Sequence, residues 1–177
     1  TPVDYATDKY ELLLELHIDY EDGTHETICT DKSWKCHKSH TICNNIYDGE
    51  VQDSNLYIKN WNKNECDEKD WLQCDEVTEP LHDKLTPRFS LPVVVKERLK
   101  PIEIIKTPAG ETVIDMGQNM AGWLEIKIKA SKGFEVVVEH GEVLQDGNFF
   151  RENIRTALQQ FRYVSDGNQA VVHPHFT

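Results

Sequence analysis

Hydrophobic residues recur at every second position over much of this chain, and that period belongs to β-strands. Between Tyr10 and Tyr20, Leu12, Leu14, Leu16, Ile18 and Tyr20 fall on one face, while Glu11, Leu13, Glu15, His17 and Asp19 fall on the other. Glu21-Asp22-Gly23-Thr24 follows. Asp-Gly favours a tight hairpin because both positions tolerate positive φ, so Thr24 to Thr30 reads as the return strand. Ser54 to Trp61 alternates again, Leu56 and Ile58 against Tyr57 and Lys59, and predicts a further strand. Asn62 to Asp70 is polar, with one short helical turn expected at Asp67-Glu68-Lys69-Asp70-Trp71, whose acidic start suits the positive end of a helix. Pro80, Pro87 and Pro92 mark 79–92 as loop or edge. Val93-Val94-Val95 then reads as a short β-branched strand.

Lys100-Pro101 reads as a domain junction, dividing the chain into 1–100 and 101–177. Beyond it, Ile102 to Ile105, Thr112 to Met116, Trp123 to Ala130 and Phe134 to His140 are predicted strands. In the third, Leu124, Ile126 and Ile128 oppose Glu125, Lys127 and Lys129. Pro108-Ala109-Gly110, Ser131-Lys132-Gly133 and Asp146-Gly147 punctuate them. Arg151 to Tyr163 has a composition open to helix, but Phe161, Tyr163 and Val164 before Asp166-Gly167 suit a strand and a turn, and extended structure is the expectation. Many short strands with turn residues between them predict an all-β sandwich or barrel architecture.

Composition narrows the function. The 177 residues carry a formal net charge of -12, which repels phosphate backbones and anionic lipid. Nucleic acid and membrane are therefore not expected partners, whereas neutral ligands such as sugars stay open. No apolar run reaches the ~20 residues that span a bilayer. The start, Thr1-Pro2-Val3-Asp4-Tyr5, lacks the basic-then-apolar order of a signal peptide. Five cysteines without a CxxC pair read as reduced thiols of a cytoplasmic protein rather than a disulfide framework.

Candidate chemistry is sparse. Cys36, His37, His40 and Cys43 offer four zinc-type ligands within eight residues, but zinc modules spread two ligand pairs across a longer loop, so no metal or other cofactor is expected. None of the GxSxG, HExxH, GxxxxGK[ST] or GxGxxG motifs occurs. Glu139 and Glu142 flank His140 and could form a site, but acids beside a turn are ordinarily solvated surface charge. Any of the four tryptophans, Trp34, Trp61, Trp71 and Trp123, could stack on a sugar ring, although burial in a sandwich core is the commoner fate; Trp34 and Trp61 lie in turn-rich surroundings and are the better candidates. Gln118 and Asn119, between Gly117 and Gly122, read either as a specialised strand connection or as an amide-lined sugar contact. No catalytic residue is assigned.

Several stretches, taken together, resemble one family. Asp115-Met116-Gly117-Gln118-Asn119-Met120-Ala121-Gly122-Trp123 is similar to the D-[FM]-G-Q-N-x-x-G-[WY] signature of bacterial α-L-rhamnosidases. Glu139-His140-Gly141-Glu142-Val143-Leu144-Gln145-Asp146-Gly147 looks like the family's H-x-E-V-L-x-x-D-G, and Asn153-Ile154-Arg155-Thr156-Ala157 like its N-L-R-x-A. Pro174-His175-Phe176-Thr177, Thr30-Asp31-Lys32-Ser33-Trp34 and Tyr47-Asp48-Gly49-Glu50 with Asp53 resemble P-x-F-T, T-D-x-S-W and Y-x-G-E-x-x-D, in the family's order. The stretch Gln159-Gln160-Phe161-Arg162-Tyr163 departs from it, lacking the usual Asp before the aromatic.

The resemblance implies that 1–100 is the later part of a jelly-roll-like β-sandwich, and that 101–177 is a second, concanavalin-like β-domain. It also implies that catalysis belongs to an (α/α) barrel of the same parent enzyme, where paired acids release terminal α-L-rhamnose with inversion. The expected role is thus an accessory fragment without activity of its own. The expected partners are that barrel, rhamnosides, and a second copy through exposed sheet edges. A stand-alone carbohydrate-binding module is the alternative, and a small enzyme using Glu142 and Asp115 is a third reading.

Overall fold

The computed structural model describes residues 10–77 and 85–175. Among these there is no α-helix; strands and turns carry the fold, with 3₁₀ turns at Ser54–Leu56 and Glu152–Ile154. The described residues form two compact units, one of 10–37, 65–77 and 85–89, the other of 38–64 and 90–175. The second unit therefore takes strands from both sides of Pro101.

In the first unit, β1 (Glu15–Asp19) and β2 (His25–Cys29) make the expected hairpin, with Asp19 opposite His25. Gly23 adopts φ +83 at its turn, where a Cβ would be strained. The strand is shorter than its alternation, since 10–14 stay outside the ladder. β3 (Lys35–Cys36) pairs with β6 (Leu72–Gln73). The predicted turn forms before Trp71, whose N–H donates to the Glu68 carbonyl at 3.1 Å.

The second unit is built on a four-stranded sheet. β4 (Thr41–Asn45) and β5 (Gly49–Asp53) form an antiparallel hairpin. β7 (Glu103–Lys106) pairs with β8 (Thr112–Asp115), and β11 (Val143–Gln145) with β12 (Asn148–Phe150). β10 (Glu135–Glu139) joins β13 (Gln160–Val164), which in turn runs parallel to β5, giving the order β10-β13-β5-β4. β9 (Ile126–Lys129) pairs with β14 (Gln169–Val172).

Register explains the core. Val138 lies opposite Phe161, and Phe161 opposite Glu50; Val136 lies opposite Tyr163, and Tyr163 opposite Gln52. These residues share one sheet face. Ile128 faces Ala170 and Ile126 faces Val172 on the β9–β14 pair. Phe161, Tyr163, Ile128 and Val172 are buried together, with Val136, Val138, Ile126 and Ala170 packed against them. Two layers thus enclose a small apolar core, as in a sandwich. Phe161 and Tyr163 are 1% exposed each, so the strand reading of 151–163 holds where the core needs it.

Two sequence readings are corrected. Ser54 to Trp61 is not a strand: the Asp53 carboxylate accepts from the Asn55 N–H at 2.9 Å and turns the chain into the 3₁₀ segment Ser54–Leu56. Asn60 then takes φ +60, which ends any extended run. Val93-Val94-Val95 forms no strand and has no ladder partner among the described residues, and Val93 is 86% exposed. β-propensity marks a residue that fits a sheet, not one that has found a neighbour. The loop reading of 79–84 falls outside the described residues.

Candidate functional site

Alternation along β5 places Glu50 and Gln52 on the inward face. The side chain of Glu50 has no exposure at all. A buried carboxylate needs hydrogen-bond donors, and three are present. Gln52 Nε2 donates to Oε1 at 2.6 Å, the His175 backbone N–H to Oε2 at 2.8 Å, and His175 Nδ1 lies 2.9 and 3.0 Å from the two oxygens. Gln52 Nε2 also donates to the His173 carbonyl at 3.1 Å. The chain leaving β14 is thereby tied to β5 across 125 positions of sequence.

Beside this clamp lies an open hollow of about 310 Å³, lined by His40, Gln52, Tyr57, Tyr163, His173 and His175, among others. The Ser54 hydroxyl donates to the Tyr163 hydroxyl at 2.8 Å, and the His40 ring meets Tyr57 edge-on with centroids 5.2 Å apart. His173 lies between Trp123 and His175, its ring centroid 6.3 Å from each. Burial holds the His40 imidazole below its ordinary pKa, and the nearby His175 adds to this, while Glu50 partly offsets it.

The sign of that shift gives a prediction. A histidine with a lowered folded pKa binds protons less readily than in the unfolded chain, so its contribution to stability is fully present above the unfolded value. It is lost as pH falls through and below that value. Denaturation midpoints are expected to drop as pH is lowered from about 7 to about 5, and His40→Asn is expected to flatten that slope. A slope unchanged in the variant would assign the effect to other groups.

A second depression, of about 420 Å³, is formed by Tyr47, Glu142 and the loop after the 3₁₀ turn at Glu152–Ile154. Asn153 Nδ2 donates to Glu142 Oε2 at 2.9 Å, joining two of the motifs read from the sequence. Arg151 braces the loop: its Nε donates to the His140 carbonyl at 3.2 Å, one terminal nitrogen reaches Glu139 at 2.7 Å, and the other reaches the Leu158 carbonyl. Gln159 N–H donates to the Tyr47 carbonyl at 2.9 Å. Within that frame Arg155 has φ +62, ψ -119, and Gln159 has φ +40.

The residues singled out from sequence are not gathered. Trp34 is half-buried, and its carbonyl accepts from the Cys74 N–H and Gln73 Nε2, both at 3.0 Å. Trp61 is 56% exposed. Gln118 and Asn119 are exposed after Gly117, which turns at φ +80 with its N–H on the Asp115 carboxylate. None of the four lines either depression. The acids considered for catalysis are likewise occupied: Glu139 pairs with Arg151, Glu142 holds Asn153, and Asp115 holds Gly117. Cys36 neighbours Cys74, whose thiol is pushed up by burial and by a hydrogen bond with Cys36; His37 packs on Trp71, and His40 on Tyr57. No group of three or more metal-binding side chains assembles among the described residues.

Sequence reasoning misses the Glu50–His175 clamp because its partners stand 125 positions apart, in two separate motifs. The available signal is Glu50 itself, an acid inside the run Gly49-Glu50-Val51-Gln52 where an apolar residue is expected.

Known proteins resemble this chain throughout. The family described as α-L-rhamnosidase N-terminal domain matches residues 1–97, and the bacterial α-L-rhamnosidase concanavalin-like domain matches residues 105–177. An α-L-rhamnosidase of Streptomyces avermitilis is 26% identical over 168 residues, covering 94% of this chain and 16% of that protein. One from Formosa agariphila is 31% identical over 163 residues, covering 90% of this chain and 17% of that protein. The crystal structure of α-L-rhamnosidase from Aspergillus terreus superimposes with a TM-score of 0.87 at 31% identity, over 93% of this chain and 19% of that one. The chain thus spans under one fifth of the length of these relatives. On the match over its first 97 residues, and on a fold shared with a relative of the same name, the chain belongs to the α-L-rhamnosidase N-terminal domain family.

Proposed function

We propose that this chain serves as an accessory, non-catalytic β-region of an α-L-rhamnosidase, packing against the enzyme's catalytic (α/α) barrel. One observation carries the reading: the chain aligns over nine-tenths of itself with relatives of which it spans only 16–19%. The acids considered for catalysis support it, since each is committed to a structural hydrogen bond or ion pair. Pro101 is read as the junction between the two β-domains, supported by the family matches that end at 97 and resume at 105. A bacterial, cytoplasmic enzyme is the proposed setting, in keeping with five free thiols. Exposed apolar side chains such as Leu72, Val93 and Ile104 would be covered by the barrel or, in its absence, by a second copy.

The test compares this chain with one continued through a catalytic barrel. The short chain is expected to release no nitrophenol from an aryl α-L-rhamnoside, and the long one to release it. Turnover by the short chain would overturn the reading.

A further inference from the structure

Two of the five thiols meet across a ladder. Cys36 lies opposite Leu72 in the β3–β6 pair, and Cys74 stands two residues beyond Leu72, so pleating puts both cysteines on one face. The Cys74 N–H donates to the Trp34 carbonyl at 3.0 Å, which carries the pairing one residue past β6. The two thiols are hydrogen-bonded to each other. Separate contacts hold the strands in this register. Gln73 Nε2 donates to the Trp34 carbonyl at 3.0 Å, Lys35 pairs with Glu68 at 3.0 Å, and the His37 ring packs on Trp71. Cys36 is exposed and Cys74 half-buried, so a reagent in solution reaches Cys36 first. The ladders give the other strand cysteines no thiol neighbour: Cys29 lies opposite Glu15, and Cys43 opposite Val51.

We infer that Cys36 and Cys74 form a reversible disulfide by exchange with a low-molecular-weight disulfide such as oxidised glutathione. The Cys36 thiolate attacks one glutathione sulfur, and a first reduced glutathione leaves. The Cys74 thiolate then attacks the Cys36 sulfur of the mixed disulfide, and the second glutathione leaves. One S–S bond is gained by the protein and one is lost by glutathione; two electrons and two protons pass from the protein thiols to the two glutathiones. Burial and the hydrogen bond with Cys36 push the Cys74 thiol above its ordinary pKa, which suits it to the second step, where the sulfur it attacks is already beside it. The twist of a two-stranded ribbon draws one diagonal of neighbours together, and a ladder of two residue pairs yields to the small closure that bonding needs. Exposure of Cys36 keeps the bridge open to attack by reduced glutathione, so it is transient where that pool is kept reduced. The bridge closes the loop from Cys36 to Cys74, and this loop contains β4 and β5 of the four-stranded sheet. It therefore pins the first unit beside the point where 38–64 departs from it.

The test uses the Cys29→Ser/Cys43→Ser/Cys66→Ser variant, in which Cys36 and Cys74 are the remaining thiols, with the unsubstituted chain mapped in parallel. After incubation with oxidised glutathione, intact mass should show both thiols lost and no glutathione retained. Peptide mapping of either chain should find Cys36 joined to Cys74, and excess reduced glutathione should restore both thiols. Adding Cys74→Ser to the variant should leave one glutathione on Cys36. Closure is expected to be at least about tenfold slower in urea, where the ladder no longer holds the sulfurs together. Hydrogen exchange at the Cys74 amide should slow at least about tenfold in the bridged chain. Stable glutathione adducts on both cysteines without a bridge would overturn the proposal. So would closure as fast in urea as in water, or a bridge in the unsubstituted chain that joins Cys36 to Cys66 instead.

Discussion

Gly49→Ala is expected to unfold the larger unit or to lower its stability by at least about 4 kcal/mol, which places it among the most damaging single substitutions. Gly49 opens β5 at φ +96, where a Cβ is already unfavourable. The decisive term is the neighbour. A Cβ there would lie 2.1 Å from the Gln160 carbonyl oxygen and 2.7 Å from its nitrogen. Both atoms belong to backbone at the start of β13, so no side chain can rotate away. Relief would require β13 to move off β5, breaking the parallel ladder from Gln160↔Gly49 to Val164↔Asp53. That displacement would also pull Phe161 and Tyr163 from the core.

Gly110→Ala supplies the control. Gly110 has φ +86 in the same unit, but a Cβ there would meet nothing within 4 Å. It should show only the conformational cost, about 1–2 kcal/mol. Chemical denaturation followed at β5 and β13 amides measures both. Equal losses for the two variants would show that the close approach of β5 and β13 carries no energetic weight.

The strands legible in the sequence are those whose partner is near in the chain or whose alternation matches one buried face. β1 and β2 are visible because Asp22-Gly23 joins them, and β9 and β10 because Ile126, Ile128, Val136 and Val138 repeat at period two. Ser54 to Trp61 misleads for a local reason: Leu56 and Ile58 alternate correctly, but Asp53 and Ser54 offer side-chain bonds that compete with a ladder. Asp53-Ser54-Asn55 is the legible warning. Val93 to Val95 misleads for a non-local one, since no residue in a sequence announces whether a neighbouring strand exists.

The sites are less legible still. Exposed aromatic and amide residues such as Trp61 and Asn119 attract attention because they look costly to expose. What the fold brings together are groups from separate motifs: Glu142 with Asn153, and Glu50 with His175. Each motif is recognisable by itself, but pairing is a property of strand order, and the parallel β5–β13 register is invisible to local periodicity.

The Glu50–His175 clamp yields the second large effect. His175→Ala is expected to cost about 3–5 kcal/mol, because it leaves a fully buried carboxylate without its imidazole partner. Glu50→Ala should cost a similar amount for a different reason. It orphans the His175 N–H, leaves the Gln52 amide with only the His173 carbonyl, and opens a cavity beside Phe161. Combining Glu50→Ala with His175→Ala removes the carboxylate and its imidazole partner together. That double variant should therefore lose at least about 1 kcal/mol less than the two single losses summed, the signature of groups that act on each other. A 58% exposed imidazole is an unusual partner for so buried an acid, because water has access to one side of it. If water alone satisfied Glu50, His175→Ala would cost under about 1 kcal/mol and the combined loss would be additive. That outcome would reduce the clamp to a contact without thermodynamic content, whereas a large coupling makes it the closure that keeps β14 and the segment after it on the four-stranded sheet.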